Sequence, residues 1–149
     1  MKLLPPVCTS QRTHHQLMPR TILLVEDEPF VRESTCRILE SAGFEVLPAE
    51  DAKAALKMYE EAKGTINLVM TDMILPGRTG EQLGQDLRQR SPNLKVLITS
   101  GYSNAEYALN DRQSNIHFLA KPYSRSDLVG KIAEIFEGAA FGHASGQAS

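Results

Sequence analysis

Five short apolar runs recur along the chain, each separated from the next by a segment long enough for one helix. They are TILLV (Thr21–Val25), FEVLP (Phe44–Pro48), NLVMT (Asn67–Thr71), KVLIT (Lys95–Thr99) and IHFLA (Ile116–Ala120). The segments between them carry helical period. EDEPFVRESTCRILESAG sets acids ahead of Pro29, puts Val31, Ile38 and Ala42 on one face and stops at Gly43. EDAKAALKMYEEAKG aligns Ala52, Ala55, Leu56 and Tyr59, and TGEQLGQDLRQRSPN turns Leu83 and Leu87 inward. SNAEYALNDRQ reads as a weak fourth helix. SRSDLVGKIAEIFEG buries Leu128, Ile132, Ile135 and Phe136, and Ser124 with Asp127 forms a capping box in which Asp replaces Glu. Apolar strands alternating with helices specify an α/β fold: a doubly wound, five-stranded parallel sheet with five helices, covered on both faces.

One domain of this kind accounts for most of the 149 residues. Its expected span is 20–138, preceded by a Pro-rich polar tail or linker (1–19) and followed by a tail of small residues (139–149). A net charge of −2 gives no general pull toward nucleic acid or anionic membrane. No apolar run reaches the length of a membrane span, and MKLLPPVC, broken by Pro-Pro, makes a poor signal peptide. Cys8 and Cys36 have no metal-ligand spacing and fit a reducing, cytoplasmic setting. His14 and His15 lie in the tail, where no role is expected for them. No DNA-binding domain is expected after the last helix, so output is expected through protein contacts.

In open parallel sheets, ligands gather beyond the carboxyl ends of the strands, where strand order reverses. Here those ends carry Glu26 and Asp27, then Asp72, then Thr99 and Ser100, then Lys121 and Pro122. Two like charges 4 Å apart repel by about 4 kcal/mol at an effective dielectric near 20, so three acids in one crevice call for a cation. Hard oxygen ligands suit Mg²⁺ (or Mn²⁺), which takes one or two carboxylates and keeps waters. Lys121 adds a fixed positive charge and Ser100 a hydroxyl. Together they offer what phosphoryl transfer requires, with a carboxylate, Asp72, as nucleophile. Singly, each has a plainer role: Asp27 or Glu28 as a helix cap, Asp72 as a solvated strand end, Ser100 as a turn hydroxyl, Lys121 as a surface lysine. Their joint arrival at successive strand ends is what points to a site.

ILLVEDEP, TDMILPGRTG, TSGYS and FLAKPYS resemble the receiver (response-regulator) domain of two-component signalling, over about Arg20 to Gly138. The likeness is strongest to receivers of hybrid histidine kinases or single-domain response regulators. It implies a flavodoxin-like sheet of order 2-1-3-4-5 with Asp72 as phosphoacceptor. Mg²⁺ would be held by Asp27, Asp72 and the backbone carbonyl of Met73, with Glu26 assisting through water. Lys121 would pair with the phosphoryl group, beside a cis Lys121–Pro122 bond. Ser100 and Phe118 would form the switch, although Phe118 lacks the hydroxyl of the Tyr common at that position. Ile74 and Tyr102 would flank the site and slow hydrolysis. The implied partners are a histidine kinase or histidine phosphotransfer protein, and a target bound on the face of the fourth helix, fifth strand and fifth helix; self-association into a homodimer is compatible with this.

The resemblance implies a signalling module that takes and slowly loses a phosphoryl group, not a turnover enzyme. Two features depart from the family pattern. Glu26 stands where Asp is commoner, and NDRQSNIHF lacks the usual Gly-Ala turn, which predicts a short or irregular fourth helix. His117 is expected to be an ordinary strand side chain. A nucleotide binder on the same sheet would need a phosphate cradle where EDEP stands. An Asp-dependent phosphatase would need a second acid at position 74, where Ile stands. A phosphate-independent receiver-like module that binds partners is the remaining alternative.

Overall fold

The computed structural model describes residues 19–101 and 115–148. In chain order the elements are β1 (Thr21–Val25), α1 (Pro29–Ser41), β2 (Glu45–Ala49), α2 (Ala52–Ala62) and β3 (Leu68–Asp72). A hairpin of β4 (Ile74–Leu75) and β5 (Arg78–Thr79) follows, then α3 (Gly80–Arg90), β6 (Lys95–Ser100), β7 (Ile116–Ala120) and α4 (Arg125–Ala148). Five strands pair in parallel in the order β2-β1-β3-β6-β7. This is the expected 2-1-3-4-5 order, with the hairpin strands numbered in between. Order reverses beside β1, so the carboxyl ends of β1 and β3 open a crevice between them.

The strands read as apolar runs because both faces are covered, and their residues alternate between two cores. Leu23, Val25 and Val69 point to one side, packing with Ala52, Ala55 and Tyr59 of α2 and Leu83 and Leu87 of α3. Ile22, Leu24, Leu68 and Met70 point to the other, against Leu39 of α1 and Leu128, Ile132 and Ile135 of α4. Each fully buried Leu or Ile contributes about 1.5–3 kcal/mol of transfer free energy, so these layers fix the strand ends with respect to one another.

Three elements differ from expectation. On α1 the inward residues are Thr35 and Leu39, while Val31 is 36% exposed. The buried line is rotated from the Val31–Ile38–Ala42 stripe, and the helix accepts a polar Thr in its core-facing row. Helix α4 runs on past Gly138 to Ala148. The β4–β5 hairpin was not expected from the sequence. The expected fourth helix within 103–113 lies outside the described residues.

Helix starts follow local chemistry. The Ser124–Asp127 box forms as expected: Asp127 N donates to Ser124 Oγ and Ser124 N to Asp127 Oδ2, both at 3.0 Å. A second box, legible as T-x-x-Q but not foreseen, opens α3, with Gln82 N donating to Thr79 Oγ1 and Thr79 N to Gln82 Oε1. Among the described residues no helix is long and apolar enough to cross a membrane.

Candidate functional site

The carboxyl ends of β1 and β3 bring Glu26, Asp27 and Asp72 together, with one oxygen of each within 4.8 Å of the others. Asp72 ends β3, and its backbone is clamped. Thr71 Oγ1 donates to the Asp72 carbonyl at 3.0 Å. Met73 N donates to Thr99 O on β6 at 2.8 Å, and Gly80 N to Met73 O at 2.6 Å. The β4–β5 hairpin thus folds back on the strand end, and Gly80 meets it so closely that an added Cβ would overlap the Asp72 carbonyl oxygen. Gly80 closes the D-x-x-x-P-G-x-x-G pattern, so the sequence marked the position without showing its contact.

Glu26 is buried, Asp72 half-buried and Asp27 exposed. Glu26 N donates to Ala49 O at 3.0 Å, and its carboxylate accepts from Glu28 N at 3.2 Å. Arg32 Nη1 reaches back from α1 to the Glu26 carbonyl at 2.8 Å, a tether with no signature in the sequence. Glu28 is the N-cap of α1 but makes no side-chain cap bond, and Pro29 begins the helix. Capping therefore does not account for Glu28's side chain.

Lys121 closes the crevice from β7. Its backbone N donates to Ser100 O at 2.7 Å, and the Lys121–Pro122 bond is cis, as expected. Its Nζ lies 3.1 Å from Asp72 Oδ1 and 3.9 Å from Glu26 Oε1. Burial alone pushes the Lys121 ammonium down, but the hydrogen bond and charge of Asp72, with the charge of Glu26, outweigh it and the net shift is upward. Glu26 is pushed up mainly by burial, against the Glu28 N–H and Lys121, with Asp72 and Asp27 adding to the rise.

The remaining predicted residues divide. Ser100 is buried at the end of β6. Phe118 is partly buried on β7, packed against the cluster of Val96, Ile98 and Ile116, and His117 sits half-buried beside it. Ile74 is 63% exposed just beyond the acceptor. The Met73 carbonyl carries the Gly80 hydrogen bond, which leaves it one lone pair for any further ligand. Tyr102 lies outside the described residues. Sequence reasoning missed Tyr123, partly buried in the α1–α4 core and hydrogen-bonded to Thr35.

The donor set consists of hard carboxylate oxygens, with one lysine against three acids, and this fits a small divalent cation of the Mg²⁺ type. When bound, such a cation neutralises developing charge on phosphoryl oxygens.

The family model for the response regulator receiver domain matches residues 22–133. Over 118 residues the chain is 36% identical to the sensor kinase CckA of Brucella abortus, covering 78% of this chain and 12% of the kinase. A crystal structure of the receiver domain from the hybrid histidine kinase CckA superposes with a TM-score of 0.66 at 35% identity, covering 77% of this chain and 97% of that one. The response regulator TrrA of Thermotoga maritima, in complex with Mg²⁺ and BeF, superposes with a TM-score of 0.67 at 27% identity, covering 78% of this chain and 98% of that one. The chain spans only 12% to 52% of the length of the curated relatives it matches. With its sheet order, its clamped Asp72 and its acid–lysine crevice, this chain belongs to the receiver domains of two-component response regulators.

Proposed function

We propose that Asp72 accepts a phosphoryl group from a phosphohistidine of a histidine kinase or histidine phosphotransfer protein, with Mg²⁺ or Mn²⁺ bound by Asp27 and Asp72 and, through water, by Glu26. The observation that carries this reading is the bridging position of Lys121, 3.1 Å from Asp72 and 3.9 Å from Glu26. Lys121 engages Oδ1 of Asp72, which leaves Oδ2 as the attacking oxygen. As Oδ2 bonds to phosphorus the phosphorus–nitrogen bond of the donor breaks, and the electron pair leaves with the imidazole. Lys121 then faces the new phosphoryl oxygens, with the charge-assisted hydrogen bond it now gives Asp72. The Met73 carbonyl joins the ligand set only through its second lone pair.

Phosphorylation adds about −1.5 to −2 charge and several acceptor oxygens at one point. Ser100, at the end of β6, and Phe118, on β7 behind it, are the proposed responders, and the output surface is the face built by β7, α4 and the segment between β6 and β7. Ile74 and Tyr102 are the proposed brakes on hydrolysis. The domain acts as a switch and not as a turnover enzyme.

The test is intact-mass spectrometry after incubation with acetyl phosphate, with and without Mg²⁺, beside Asp72→Asn. One phosphoryl addition that needs Mg²⁺ and vanishes in the variant is the expected result. No addition to the wild type favours the phosphate-independent binding module, and addition that persists in Asp72→Asn moves the acceptor elsewhere.

A further inference from the structure

At the opposite pole of the sheet, the amino ends of β1, β3 and β6 border a cavity of about 630 Å³. Five-residue strands place it roughly 15 Å from Asp72. This is the volume range of small-molecule sites. Arg20 precedes β1, Asn67 precedes β3 and Lys95 opens β6. Tyr59 of α2, Arg90 of α3 and Phe136 of α4 complete the charged and aromatic part of the wall.

The charge of this wall is one-sided. Acids outnumber bases in the chain by 18 to 16, yet among the described residues no Asp or Glu lines the cavity. Arg90 is neutralised by Glu60 and Asp86. Arg20 and Lys95 have no ion-pair partner among the described residues. The Arg20 guanidinium lies 4.3 Å from the centre of the Phe136 ring, a contact that positions the cation without cancelling its charge. Asn67 Oδ1 accepts from Thr21 N at 2.8 Å, and its NH₂ is a donor group at the same wall. Two uncompensated cations and an amide donor, beside aromatic rings, match an anion with an organic body.

We propose that this cavity binds a small organic anion, with its phosphate or carboxylate held by Arg20 and Lys95 and its body against Tyr59 and Phe136. The site is independent of the chemistry at Asp72. The test is an NMR titration of the ¹⁵N-labelled full chain in EDTA, with adenosine monophosphate, benzoate and inorganic phosphate as separate probes. Saturable shifts are expected at Gly64, Asn67, Leu94 and Lys95, with a Kd below about 1 mM for an organic probe and weaker binding of inorganic phosphate. The Arg20→Gln/Lys95→Gln variant should raise that Kd about tenfold. Lys95→Gln alone, which keeps the Arg20–Phe136 contact, should raise it in the same direction with an unchanged amide spectrum elsewhere. Binding of adenosine monophosphate without benzoate assigns the site to phosphates, and the reverse assigns it to carboxylates. No saturable shift with either organic probe overturns the proposal. So do binding that survives the double substitution, shifts confined to Asp27, Asp72 and Lys121, and phosphate binding as tight as the organic probes.

Discussion

Gly80 meets the backbone of Asp72 where no side chain fits, and Thr71 Oγ1 and Thr99 O hold the same strand end. A methyl group at position 80 must push the hairpin off the acceptor, at a cost of about 1–3 kcal/mol for overpacking. Gly80→Ala should therefore lower the urea midpoint and slow acetyl phosphate labelling together. An unchanged labelling rate would show that the clamp does not position Asp72. Glu26 yields a prediction of a different sign. Its folded-state pKa is raised above the ordinary 4.5, chiefly by burial, so the folded protein holds that proton more tightly than the unfolded chain. Its contribution to stability is complete below the ordinary value and is lost as pH rises through the raised one. In EDTA, the wild type should thus lose stability relative to Glu26→Gln as pH rises from about 4 to 7. Parallel pH profiles would contradict this. The residue types at Glu26, Asp72 and Lys121 could be read from the sequence. The tethers of Arg32 and Gly80 could not, because each depends on a hydrogen bond or a close approach that only the fold creates.

At the scale of elements, the helices show how far period and capping carry a reading. Leu83 and Leu87 face inward as their spacing requires, and both are fully buried. On α1 the same reasoning selected Val31, but Thr35 and Leu39 are the buried pair. The rotation is tertiary in origin: Thr35 has a hydrogen-bond partner in Tyr123, which arrives from the far end of the chain and lets a polar residue occupy the inner face. The start of α3 is more local. Thr79 and Gln82 satisfy each other's backbone donors, so Thr79→Ala should cost about 1 kcal/mol. It should also loosen the turn that carries Gly80. A chemical denaturation curve is the check, and an unchanged midpoint would show the box to be dispensable.

For the whole molecule, folding assembles three acids from two strands beside a single lysine, a repulsive arrangement in the absence of a divalent cation. Mg²⁺ at about ten times its Kd should stabilise the protein by about 1.4 kcal/mol, read as a higher melting temperature. The gain should shrink in Asp27→Asn, and an equal gain in that variant would remove Asp27 from the ligand set. Sequence alone marked the five strands of the sheet and the helices α1, α2, α3 and α4, since the switch between apolar runs and helical period is a local property. It also determined that acids, a hydroxyl and a lysine stand at successive strand ends, because a parallel sheet sends every strand's carboxyl end to one rim. Tertiary structure decided the rest: the close approach of Gly80 to Asp72, the turn of α1 toward Tyr123, and the gathering of Arg20, Lys95 and Phe136 at the other pole. Those contacts join residues far apart in the chain, and no local pattern encodes a distance across the fold.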